Sequence, residues 1–202
     1  MKTSSYILAV LILFIFIPSI AQNIPRTEKD IPIFPEAIVD MEAQQQALED
    51  YKEIHEGESI LNLSVKVYTV SMAPDEVCKF YIKKLGAKEG FPEDNGDSKP
   101  GVNTMPWFEV DHFPTSLFED QHEGNIKIHD GKWLKTALTK RQQWIPGEWL
   151  QSAYFEWEVI LGNDQMANFS IEIIDADSFD TRAKKVNNKT LITIISKIQE
   201  TE

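Results

Sequence analysis

The chain has 202 residues, with 20 Lys and Arg against 32 Asp and Glu, and a formal net charge of -12. That balance excludes a nucleic acid as the main partner, because releasing counterions from phosphates needs a basic face. It also argues against polybasic docking on anionic lipid. A single Cys excludes an intrachain disulfide framework and a Cys-rich zinc site, and a mean hydropathy of -0.30 excludes a multi-span membrane protein.

Residues 1–21 read MKTSSYILAVLILFIFIPSIA. Lys2 gives a short positive start, an apolar run extends from Tyr6 to Ile17, and Pro18 breaks it. Ser19 and Ala21 then place small residues before Gln22, which is the layout of a cleaved secretory signal peptide. The run is shorter than the roughly 20 residues a span needs, so no stable membrane span is expected after cleavage. The expected location is exported, periplasmic or secreted.

Residues 22–58 form an extended arm and an acidic surface helix. Pro25, Pro32 and Pro35 disfavour helix in the residues before them. MEAQQQALEDYKEIHEG is then a run of good helix formers that stops at Gly57, with a narrow stripe of Met41, Leu48 and Tyr51. The segment holds ten acids against Arg26, Lys29 and Lys52, so much of the acid excess lies in this arm.

Residues 59–199 read as one α+β domain. In SILNLSVKVYTV, Leu61, Leu63, Val65 and Val67 alternate with polar neighbours, which predicts a half-buried strand. APDEVCKFYIKKLG predicts a helix: Pro74 suits its first turn, Asp75 and Glu76 complement the dipole, and Gly86 stops it. Val77, Cys78, Tyr81 and Leu85 share its sheet-facing side.

Strands are predicted at 104–111 and 125–130, and a helix from Lys132 to Trp144 ended by Pro146 and Gly147. The strongest hairpin signal follows. Phe155, Trp157, Val159 and Leu161 alternate inward, Gly162-Asn163-Asp164 makes the turn, and Ala167, Phe169, Ile171 and Ile173 return. KTLITIISKI is a β-branched final strand, expected to be central. The order predicts an α+β fold: a twisted, mainly antiparallel sheet with helices packed on one face.

IPIFPEA followed by VKVYTVSMAPDEVCKFYIKKLGA resembles a group of uncharacterised exported bacterial proteins and lipoproteins. Those proteins share a Pro-aromatic-Pro opening, a strand ending in Tyr-Thr, and a helix with Phe-Tyr and a later Leu. The matching positions here are Pro32, Phe34, Pro35, Ala37, Tyr68, Thr69, Val77, Phe80, Tyr81, Leu85 and Gly86. Glu36 stands where Gly is usual, and the lipid-attachment Cys is absent. The resemblance implies an envelope-facing α+β domain and transfers no catalytic residue.

Potential metal ligands concentrate between Glu109 and Asp130: Asp111, His112, Glu119, Asp120, His122, Glu123 and His129 lie there as well. Imidazole and carboxylate suit zinc, yet His112, His122 and His129 are far apart in sequence and no HExxH occurs. A calcium loop at Asp175, Asp177 and Asp180 lacks the central Gly and closing Glu of an EF-hand, and the Asn-Gly of residues 94–97 reads as a turn. Cys78 points to a core, and Glu156 and Glu158 share an outer strand face, where carboxylates are ordinarily solvated. Asn62, Asn168 and Asn188 each open an N-x-S/T triplet, discounted because the first two lie in predicted strands.

Trp133, Trp144 and Trp149 fall close together, among Lys132, Lys135, Lys140 and Arg141. Exposed aromatics beside cations suit a ligand or an acidic partner, while Trp133 and Trp149 also suit anchoring to the sheet. The expectation is an exported, non-catalytic domain that binds an envelope protein or small ligand through Trp133, Trp144, Trp149, Lys140 and Arg141, without a cofactor. The alternative is a metal-dependent hydrolase using His112, His122 and His129.

Overall fold

The computed structural model describes residues 24–90, 105–114, 121–123, 126–129, 133, 148–180 and 182–200. The expected signal peptide, the Asn-Gly turn of residues 94–97 and most of the 132–144 helix lie outside them. Side chains of 113–114, 121–123 and 126–129 are likewise outside the description.

The elements in chain order are β1 (Ile38–Val39), α1 (Met41–Ile54), β2 (Ile60–Val70), α2 (Pro74–Leu85), β3 (Lys88–Glu89) and β4 (Trp107–Pro114). They continue with β5 (Gln121–Glu123), β6 (Ile126–His129), β7 (Glu148–Gly162), β8 (Gln165–Asp175), β9 (Ser178–Asp180), β10 (Lys185–Asn187) and β11 (Thr190–Glu200). Seven strands form one sheet in the order β1-β2-β11-β8-β7-β4-β3, antiparallel throughout except for the β3–β4 pair. The α+β class and the mainly antiparallel sheet are as expected, and β11 is central.

Register assigns the two faces, because residues paired across strands share a side and neighbours along a strand do not. Ile194 pairs with Ile171, and Ile171 with Phe155; Phe155 in turn pairs with Phe108. This face carries the core: Phe155, Trp157, Val159, Ile171, Ile173 and Ile192 are all fully buried. The β7–β8 hairpin therefore follows its predicted pattern, save that Leu161 is exposed. The ladder slips between Ile160 and Gly162, and Gly162, Asn163 and Asp164 all have positive φ in the turn.

Helix α2 covers that face with Val77, Cys78, Tyr81 and Leu85, all buried, as its spacing predicts. It ends at Gly86, whose φ of 63° is the left-handed cap that glycine adopts without a Cβ clash. The N-terminal arm crosses the same face. Trp157 Nε1 donates to the Pro25 carbonyl at 2.9 Å, Ile31 is buried in the core, and the Phe34 ring meets Phe80 edge-on at 5.1 Å. Glu28 pairs with Lys66 on the same side.

Helix α1 is placed differently. Lys197 pairs with Leu63 and Asn168, so it lies on the opposite face from Ile194. Glu58, just beyond α1, bonds Lys197, and Tyr51 of α1 lies beside that ammonium. The two helices thus flank opposite faces, and the expectation of one shared face is met by α2 and the arm alone. The reason is visible in β2. Tyr68 and Val70 are buried toward the core, while Val65 and Val67 are buried on the α1 side. Both faces of this strand carry apolar residues, so both need cover. The predicted inward set fails at its start, where Leu61 is exposed, and Met41 is exposed at the head of the α1 stripe.

Glu36 has φ 65°, a left-handed conformation that costs a non-Gly residue roughly 1 kcal/mol. Its side chain is exposed, so Glu36→Gly removes strain without removing a core contact. Part of that gain is offset by the freer unfolded chain. The expected result is stabilisation by about 0.5 kcal/mol, read as an upward shift in denaturant midpoint.

Candidate functional site

The Trp segment is only partly in view. Trp149 is buried, with its ring edge-on to Phe179 at 5.7 Å. Trp133 is half-buried and packs against the core. Both therefore anchor the segment, and neither offers the exposed ring the expected binding surface requires. Trp144, Lys140 and Arg141 lie outside the described residues.

The candidate metal ligands are spread over three strands. His112 is half-buried in β4 opposite Leu150, while His122 and His129 belong to the separate β5–β6 hairpin, opposite Lys127 and Gln121. Glu119, Asp120 and Asp130 lie outside the described residues, as do the side chains of His122, Glu123 and His129. Among the described residues no three His, Cys, Asp or Glu side chains come together as a metal site.

The Asp175–Asp180 segment has a backbone task. Asp175 Oδ1 accepts from Asp177 N, Asp177 Oδ1 accepts from Lys189 N, and Asp180 Oδ1 accepts from Arg182 N and Ala183 N. These bonds shape the turns around β9 and β10. Cys78 is fully buried and burial, followed by the Asp75 charge, pushes its thiol well above the usual range. It is a core residue. Glu156 and Glu158 do share a face, and Asn168 Nδ2 donates to both, at 2.9 and 3.4 Å.

Sequence reasoning missed the polar junction between α1 and the sheet. His55 Nδ1 donates to Glu58 Oε1 at 2.5 Å, and Lys197 Nζ donates to Glu58 Oε2 at 3.0 Å. The Tyr51 ring stacks on His55 at 4.1 Å, and its hydroxyl lies close enough to Lys197 for the two to influence each other. Local folding sets this up. Asp40 caps α1 by accepting from Ala43 N, and after Ile54 the chain turns through Gly57 at φ 95° so that Glu58 returns toward β11.

The electrostatics are mutual. Hydrogen bonds from His55 and then Lys197 hold the Glu58 carboxyl below its usual range. Burial opposes the charge on Lys197, whose side chain is only 12% exposed, but Glu58 and Tyr51 outweigh it and raise its pKa. Burial raises the Tyr51 hydroxyl. Farther along this face, burial and the Glu156 charge push Tyr154 up to about 12.

Beside this junction opens a cleft of about 890 Å³, walled by Gly57, Glu58, Ser59, Met166, Lys197 and Gln199. With Glu200 at its border, its lining offers one ammonium, a hydroxyl, a carboxamide, two carboxylates and a thioether. Such a set can hold a small polar molecule and orient it. One signal in the sequence marked it: Lys197 is the lone charge in the apolar run LITIISKI, and a charge there needs a partner.

The chain matches no protein-family model, no curated protein and no solved structure.

Proposed function

We propose that the chain is an exported, non-catalytic α+β domain that binds a small ligand in the cell envelope. Residues 1–21 serve as its secretory signal, residues 22–58 as arm and surface helix, and residues 59–199 as the binding domain. The cleft beside Lys197 is the binding surface. The observation that carries this reading is a lysine with a largely covered side chain on the wall of an open cleft, its ammonium paired with a loop carboxylate. The cleft's volume falls in the few-hundred to roughly 1,000 Å³ range of small-molecule sites. The signal-like leader and the resemblance to exported proteins support the location.

Two measurements test it. Expressed with its leader in a bacterial host, the protein is expected in the exported fraction with Gln22 as its first residue; retention in the cytoplasm with an intact leader would defeat the export reading. Purified mature protein, mixed with low-mass envelope extract, is expected to show amide shifts at Gly57, Met166 and Gln199. Shifts confined to other parts of the sheet would move the site elsewhere.

A further inference from the structure

Resting on the cleft as the binding surface, we infer that its ligand is a small monocarboxylate, and that Glu58 is the intrachain carboxylate that ligand displaces from Lys197. Lys197 sits on the sheet with its side chain 12% exposed and lines the cleft, so its ammonium offers donors there to an anionic or strongly polar acceptor. Among the described residues no sheet carboxylate pairs with that ammonium. The anion comes from Glu58, on the loop after α1, whose own side chain is 44% exposed. Glu58 is thus the more exposed partner of the pair, and Gly57 before it has φ 95° with open space around the position a Cβ would take.

An ammonium has three donors, and among the described residues Glu58 accepts one of them. A ligand carboxylate can take another donor or replace Glu58. The Ser59 hydroxyl and Gln199 carboxamide line the same cleft as further donors, and Met166 offers an apolar wall for the ligand's hydrocarbon part. Glu58 and Glu200 both border the cleft, so a dianion or polyanion meets repulsion that a monocarboxylate with an uncharged body largely avoids. When Glu58 leaves Lys197 it also changes its contact with His55, which couples the cleft to the last turn of α1.

The test titrates hexanoate into the mature protein, with hexylammonium and inorganic phosphate as comparison probes, following amide shifts of Gly57, Gln199 and His55. Hexanoate is expected to shift all three, and Glu58→Gln to tighten its binding about fivefold by removing the competing charge. Lys197→Met is expected to abolish the shifts, with a native spectrum elsewhere confirming that it folds. Binding by hexanoate that Lys197→Met leaves unchanged, or none to Glu58→Gln, would overturn the inference. Shifts at the cleft from hexylammonium or phosphate but not hexanoate would overturn the ligand class and leave the cleft standing. Silence from all three probes would count against both.

Discussion

Trp157→Ala is expected to lower stability by about 3–5 kcal/mol, among the largest losses any single substitution in this chain would produce. The ring is fully buried and stacked on Phe169 at 5.4 Å, so its removal leaves a cavity as well as losing contact area. It also removes the donor to the Pro25 carbonyl, which fastens the N-terminal arm to the sheet. The arm should therefore loosen along with the core. Limited trypsin digestion reads this directly, since Arg26 and Lys29 lie in the arm and should be cut much faster in the variant. Trp157→Phe separates the two effects: most ring packing survives, while the lost hydrogen bond costs about 1 kcal/mol. An arm in Trp157→Ala that resists trypsin as well as the parent would show that other contacts hold it.

Phe155→Ala is the second large effect, again about 3–5 kcal/mol. Phe155 is fully buried between α2 and β4: its ring lies 6.0 Å from Tyr81 and 5.4 Å from Phe108, stacked on the latter. Removing it parts the helix from the sheet, whereas Phe155→Leu keeps the site apolar and should cost distinctly less. Cys78, the only thiol in the chain and fully buried on α2, reports the result. Its reaction with a thiol reagent should be slow in the parent and faster in Phe155→Ala, tracking the population of opened molecules. Equal rates in both would mean that α2 does not depend on this ring.

What was legible in the sequence was whatever a local period determines. The α2 face, the β7–β8 hairpin and its turn follow from spacing of 3.6 or 2 residues plus one glycine. β2 was harder, because alternation names a single inner face and this strand buries apolar residues on both. The short β1 and β3 carry two residues each, too few for any period. The junction at Lys197 was out of reach for another reason: 139 positions separate it from Glu58, and no local rule joins residues so distant. The Trp residues were noticed for chemistry, but aromatic bulk serves a core at least as readily as a surface, and Trp149 went inward.

The position of β11 has a consequence for how the molecule comes into being. It stands between β2 on one side and β8, β7, β4 and β3 on the other, so among the described strands it alone joins β1 and β2 to the rest of the sheet. A nascent chain holding everything up to residue 189 has two half-sheets and no ladder between them. The arm's bond to Trp157 likewise spans 132 positions. Closure waits for β11 to emerge, so assembly of this sheet is dominated by pairings distant in sequence. Such a polypeptide keeps its two half-sheets apart until β11 is made, which sets the order in which the sheet can close.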